Sequence, residues 1–177
     1  MKTHELNNVI VNKNIETAFN ILCVNDNNII SSNVTNIVDW QQFPWEEKKG
    51  IKRQTDIFTL KIDTLPELYY GLLEDDSNRN IKIQMIKKVA FKTNNKYIVT
   101  FKYKIMNLKY LVQTIIDKLQ LIRMKCKVYL LKESETSTKL SLKMKTSAFV
   151  PYAFELEDYI IEYAKQIMNT IISVMQS

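Results

Sequence analysis

Apolar residues along this chain recur with two periods, one helical and one alternating, and the elements change where the period changes. The longest helical stretch is the last. From Phe154 onward, Leu156, Ile160, Tyr163, Ala164, Ile167, Ile171 and Val174 make the stripe of an amphipathic helix. Pro151 stands ahead of it, where a fixed φ is tolerated, and Glu155, Glu157 and Asp158 suit the positive end of the helix dipole. A helix is predicted over Phe154–Met175, roughly 30 Å long at about 1.5 Å per residue.

Upstream, Glu5–Val11 alternates weakly and reads as a first strand. Asn14 can cap a short helix, Ile15–Val24, whose apolar face holds Ile15, Ala18, Phe19, Leu22 and Cys23. Asn25–Asn28 breaks it, and Ile29–Asp39 fits either a second short helix or a loop into a strand. Trp40–Gly50, WQQFPWEEKKG, concentrates more aromatic residues than a surface turn needs. Ile51–Ile62 then alternates, with Asp56, Phe58, Leu60 and Ile62 on one face, though Lys52 and Gln54 share that parity. Thr64–Asn80 is a connection.

From Ile81 the alternation sharpens. Ile81, Ile83, Met85, Val89 and Phe91 face one way, and Lys82, Gln84 and Lys88 the other. After a turn at Thr93–Lys96, Tyr97, Val99, Phe101, Tyr103 and Ile105 oppose Thr100, Lys102 and Lys104. Asn107–Leu119 returns to helical spacing through Leu108, Leu111, Val112, Ile115, Ile116 and Leu119. Two more strands follow. Ile122, Met124, Cys126, Val128 and Leu130 oppose Arg123, Lys125 and Lys127; Leu140, Leu142, Met144 and Ala148 oppose Lys139, Ser141, Lys143 and Lys145. The expectation is an α+β fold, an antiparallel meander with one wet and one apolar face on which the last helix lies. With no βαβ rhythm, repeat or linker, it reads as a single domain over residues 1–177.

Composition removes several chemistries. With 2 Gly and 3 Pro in 177 residues, no glycine-rich phosphate loop can be built. His4 is the sole histidine, and Cys23 and Cys126 are not at metal-ligand spacing, so neither a His-dependent triad nor a zinc site is expected, and no cofactor. Two buried thiols and a disulfide both fit the cysteines. The carboxylates Glu46-Glu47, Glu74-Asp75-Asp76 and Glu155/Glu157-Asp158 fall in turns or at a helix start. None reads as embedded in an apolar strand face. Asp56 comes nearest, as a candidate polar hook for a ligand hydroxyl. There is no Gly-x-Ser-x-Gly elbow, so no catalytic residue is expected and the chain is read as a non-enzyme. Met1–Asn8 is polar, and no apolar run approaches the roughly 18–20 residues of a membrane span, so a cytoplasmic protein, at most peripheral at intracellular membranes, is expected.

The net charge is +6, and its placement matters more than its sum. Lys102, Lys104, Arg123, Lys125, Lys127, Lys143 and Lys145 come from three consecutive strands and share one face. That face is either solvated or suited to anionic lipid headgroups. Tyr129 is its main aromatic residue, so base stacking has little to work with and nucleic acid is not expected.

The order of elements resembles the helix-grip fold of the START-like superfamily, a curved antiparallel sheet wrapped around a long C-terminal helix. The opening NNVIVNKNIETAFNILC resembles the first strand and helix of many members. Within the superfamily the chain looks most like the VASt (Aster-like) sterol-transfer domains: Phe43-Pro44-Trp45, a charged turn over Glu46–Gly50, Arg53 at a strand start, and the acidic, Tyr-bearing segment Ala153–Tyr163. The helix at Asn107–Leu119 departs from that pattern.

The resemblance implies binding and transfer of a sterol or similar lipid in a cavity between sheet and terminal helix. Candidate lining residues are Phe58, Leu60, Phe101, Tyr103, Met124, Leu142 and Met144 on the strands. Tyr69 and Tyr70 in the connection and Ile160, Tyr163 and Ile167 on the helix complete the set. Two alternatives stay open on the same fold, a polyketide-cyclase-like enzyme and a protein-interaction module. For delivery, the Asn107–Leu119 helix either packs on the body or acts as a lid, with Leu111 touching the bilayer beside the basic face. A monomer is expected.

Overall fold

The computed structural model describes residues 2–61, 71–74, 80–119, 122–148 and 153–177. The elements are β1 (Lys2–Val11), α1 (Ile15–Cys23), α2 (Asp26–Asn33), β2 (Ile37–Gln42), β3 (Glu46–Lys48), β4 (Ile51–Lys61), β5 (Asn80–Lys92), β6 (Lys96–Ile105), α3 (Tyr110–Leu119), β7 (Ile122–Lys132), β8 (Thr138–Ala148) and α4 (Ala153–Gln176). The strands form one antiparallel sheet in the order β1-β8-β7-β6-β5-β4-β2, with β3 also paired to β4. The long C-terminal helix α4 packs against β1, β8, α1 and α2. This is the expected helix-grip arrangement.

Period-two alternation sorts the strand residues onto two faces. Inward go Phe58 and Leu60 of β4, Met85 of β5, Val99 and Phe101 of β6, Cys126 and Val128 of β7, and Leu142 and Met144 of β8, all buried. From α4, Ala164, Ile167, Met168, Ile171 and Met175 complete the same core. The α1 cap is as the sequence reads, the Thr17 amide donating to Asn14 Oδ1 at 2.8 Å.

The open stretch at Ile29–Asp39 resolves into both of its readings, the end of α2 and the start of β2. The inserted helix starts at Tyr110, later than the predicted Asn107. Asn107 is drawn to the sheet instead: its Oδ1 accepts from the Lys82 amide at 2.9 Å and its Nδ2 donates to the Asn80 carbonyl at 2.7 Å. Leu108, buried, forms an isolated bridge with Leu73.

Three short backbone features set where side chains point. The β3–β4 hairpin closes through Lys49 (φ 53°) and Gly50 (φ 73°), the two left-handed residues of a two-residue turn whose twist matches the strands. In β1 a bulge at Asn8 (φ 57°) lets Leu6 and Val9, three apart, both pack on the core. In β2 a bulge at Asp39 (φ 54°) does the same for Ile37 and Trp40. A regular strand would turn Trp40 to solvent. Asn and Asp tolerate the left-handed region better than most residues.

A β-branched residue at position 39 tests this. Asp39→Val is expected to lower stability by about 1–3 kcal/mol, the usual cost of such a backbone conformation, while Asp39→Gly stays close to the parent. Denaturant unfolding monitored by Trp fluorescence reads both. Equal midpoints for the two variants would remove the role assigned to the bulge.

Candidate functional site

The inner face is not uniformly apolar. Lys87, on central strand β5, is 0% exposed, as is Asp56 on β4, and Asp26 at the start of α2 is 1% exposed. Lys87 Nζ donates to Asp26 Oδ1 and Oδ2 and to the Cys23 carbonyl, each at 3.0 Å, and lies 3.2 Å from Asp56 Oδ2. All three ammonium protons are therefore engaged. Trp40 Nε1, placed by the β2 bulge, donates to Asp56 Oδ2 at 3.0 Å, and the indole stacks on Phe58 with centroids 4.5 Å apart. Gln42 Nε2 reaches Asp26 Oδ1 at 3.5 Å. Trp45 closes the group from outside, its ring 5.8 Å from Lys87 Nζ.

This overturns the expectation that no carboxylate is embedded in an apolar strand face. Asp56 is embedded, and ionic pairing to Lys87 makes that tolerable; a buried charge without a partner would cost far more than a strand position could recover. Lys87 and Asp26 were both missed. The signal for Lys87 was its parity, since it falls between Met85 and Val89 on the apolar face. A lysine there has to meet a carboxylate. Asp26 sits in what the sequence shows only as a helix break, and its role depends on a tertiary contact.

Among the described residues, two carboxylates against one ammonium leave this cluster with a formal excess of one negative charge. Burial raises the Asp26 pKa, with the Lys87 charge opposing it. Among the described residues four buried polar atoms have no partner: Asp56 Oδ1, Gln54 Oε1 and the Tyr103 hydroxyl on this face, and Asn27 Oδ1 in α2. Gln54 and Asp56 are neighbours on one face of β4, and Tyr103 shares a cross-strand row with Asp56 through Met85. Burial above all, with Cys126, Asp26 and Asp56 adding to it, holds the Tyr103 hydroxyl well above its ordinary pKa. The two thiols are free and buried. Burial raises Cys23 well above its usual value and pushes Cys126 up to about 12.

Of the candidate lining residues, Phe58, Leu60, Phe101, Tyr103, Leu142, Met144 and Ile167 are buried in one cluster, with Met124 and Tyr163 half-buried against it. Tyr163 also bounds an outer groove of about 740 Å³ beside α4, where its hydroxyl accepts from Asn36 Nδ2 at 2.9 Å. Tyr69, Tyr70 and the Ile160 side chain lie outside the described residues. A second groove of about 730 Å³ runs along Phe19, Trp45, Val89 and Lys92. Among the described residues no group of His, Cys, Asp and Glu could hold a metal ion.

On the outer face the register aligns Lys102, Lys125 and Lys145 directly opposite one another across β6, β7 and β8, with Lys127 opposite Lys143 beside them. Like charges placed so are mutually destabilising. Lys143 is paired with Glu5, whose carboxyl it holds below the usual range, and Lys127 lies 5.1 Å from the Tyr129 ring centre. Lys104 is exposed on the same face, and the Arg123 side chain lies outside the described residues. On α3, Tyr110, Leu111 and Ile115 are 80%, 74% and 53% exposed. The expected apolar surface of this helix therefore divides, with Leu108 inside and Leu111 outside. No described helix is long and apolar enough to cross a membrane.

Replacing Lys87 by Met should lower stability by about 3–5 kcal/mol at neutral pH, because two carboxylates lose their counter-charge. The loss should shrink in acid. A carboxyl whose folded pKa is raised contributes stability that is complete below its unfolded value and is lost as pH rises through the folded one. Asp26 is such a group, and without Lys87 its pKa rises further. Denaturant midpoints of both proteins from pH 4 to 7 check this; a gap that widens toward acid would contradict it.

Neither a protein-family model nor a curated protein sequence matches the chain. Solved structures do. The Zhui aromatase/cyclase from Streptomcyes sp. R1128 superposes with a TM-score of 0.60 at 8% identity, over 98% of this chain and 94% of that one. Ara h 8.0201 gives 0.57 at 10% identity, over 98% of each. Norcoclaurine synthase from Thalictrum flavum, in complex with dopamine and hydroxybenzaldehyde, gives 0.52 at 9% identity over 98% of this chain and 84% of that one. At such identities the likeness is one of fold: the chain has the Bet v1-like, START-like helix-grip fold.

Proposed function

We propose that this protein is a non-enzymatic binder and carrier of a hydrophobic small molecule, such as a sterol, held between the inner face of the sheet and α4. The observation that carries the reading is a mostly apolar interior on whose sheet face, among the described residues, Asp56, Gln54 and Tyr103 each carry an unpartnered polar atom. Buried polar atoms in a filled core are normally satisfied, whereas ligand sites are apolar with a few polar groups. Catalysis has less support. Lys87 Nζ is taken up by Asp26, Asp56 and the Cys23 carbonyl, and burial keeps both thiols and the Tyr103 hydroxyl protonated. The choice of a sterol rests on the VASt-like Phe43-Pro44-Trp45 stretch and Arg53. Of those residues Trp45 lies over Lys87, its ring 5.8 Å from Nζ; the Phe43 carbonyl accepts from Gln54 Nε2 at 2.9 Å, and Arg53 pairs with Glu46 at 3.3 Å.

Delivery requires contact with a membrane. The aligned lysines Lys102, Lys125 and Lys145 lie near the strand ends between which α3 is inserted, so cations and the exposed Leu111 and Ile115 come from the same end of the molecule. Anionic headgroups relieve the lysine repulsion while the apolar side chains enter the interface, each basic residue contributing on the order of 1 kcal/mol.

Native mass spectrometry after incubation with cholesterol and with phospholipid should show one-to-one lipid adducts. Absence of any adduct at all lipid concentrations sinks the carrier reading. Binding to phosphatidylserine vesicles should weaken above physiological salt, where the Debye length is about 8 Å, and Lys125→Glu with Lys127→Glu should abolish it while lipid adducts persist. Unchanged vesicle binding by that variant reduces the basic face to a solvated surface.

A further inference from the structure

The three unpartnered atoms and the charge excess beside them say more about the ligand than its hydrophobicity does. Gln54 uses its amide nitrogen on the Phe43 carbonyl, which can only accept, so its Oε1 is an acceptor turned the other way. Asp56 uses Oδ2 on Trp40 and Lys87, leaving Oδ1, a second acceptor. The Tyr103 hydroxyl, more than nine-tenths buried, feels the Asp26 and Asp56 charges and can accept as well as donate. One negative charge remains after Lys87 has balanced one carboxylate. A proton can balance it, and so can a second cation.

We propose that the interior site takes a lipophilic amine, its ammonium donating to Asp56 Oδ1, Gln54 Oε1 and the Tyr103 hydroxyl while its apolar body lies along the inner face of the sheet. The proposal rests on the interior-binding reading above and narrows the head group, favouring an ammonium over the neutral hydroxyl of a sterol. Three N–H donors match three acceptors, and the added charge neutralises the cluster. A carboxylate head would bring a second uncompensated negative charge into the same space and find two acceptors facing it. A hydroxyl supplies one donor and leaves the charge as it was.

The test uses probes of one chain length, dodecylammonium, dodecanol and dodecanoate, the two ionic ones below their micellar concentration and the alcohol below its solubility limit. They compete with the uncharged dye N-phenyl-1-naphthylamine at neutral pH. The amine should displace dye at about tenfold lower concentration than the carboxylate, the scale of a hydrogen bond to a charged group, with the alcohol between. The protein's net charge of +6 would by itself favour the carboxylate, so this order reports the interior. Asp56→Asn should bring amine and carboxylate within about threefold of each other. Tyr103→Phe removes one acceptor without touching the ion cluster, and should weaken the amine several-fold if Asp56→Asn fails to fold. Equal displacement by all three probes means that water occupies the three atoms and overturns the proposal alone, as does an amine preference that both variants retain. No dye uptake and no binding by any probe overturns the interior-binding reading, and this proposal with it.

Discussion

The contact between the Lys87 ammonium and the carboxylates of Asp26 and Asp56 fixes more of this molecule than any other single interaction. It joins the α1–α2 turn to strands β4 and β5, elements far apart in sequence, and does so where no water can take over. Removing charges from water is expensive, so such a group persists only when its charges are paired with one another. That requirement reaches outward. Trp40 has to face inward to donate to Asp56, so β2 has to bulge at Asp39; Trp45 has to lie over the cluster, so the segment before the β3 hairpin has to fold back across it. Trp40, Gln42 and Trp45 of the aromatic-rich WQQFPW stretch thus wall in the buried charge.

The two faces of the sheet divide the chemistry. Inside, one apolar cluster joins the strands to α1, α2 and α4, and its few polar atoms are either tightly paired or unpartnered. Outside, lysines stand opposite lysines across three strands. Neither pattern is what stability alone would select: apolar residues would pack better than the buried ions, and alternating charges would suit the outer face better than one sign. Both departures lie where the binding and membrane roles are proposed.

The fold alone does not select among functions. Structures with this architecture and about a tenth of its residues in common include an aromatase/cyclase and a synthase, each with its own chemistry. A scaffold is shared while sites are grafted onto it. The argument for this chain therefore rests on which side chains its own strands bring together.

Much of the scaffold was legible in the sequence because it depends on local periodicity. The alternation from Ile81 to Ala148, the cap at Asn14 and the long stripe of α4 each follow from residues a few positions apart, and together they dictate an antiparallel sheet with a helix on its apolar face. The lysine-rich outer face followed from the same parity. The site was not legible, because its members are brought together only by packing. Lys87 falls on the apolar side of its strand by parity, but which carboxylates it meets is decided by where the α1–α2 turn lands on the sheet. Trp40 falls on the wrong side by parity until a left-handed Asp39 turns it over. Alternation records which face a residue takes in a regular strand; it carries nothing about bulges or about which loop covers that face. Those are tertiary facts, and the candidate site is made of them.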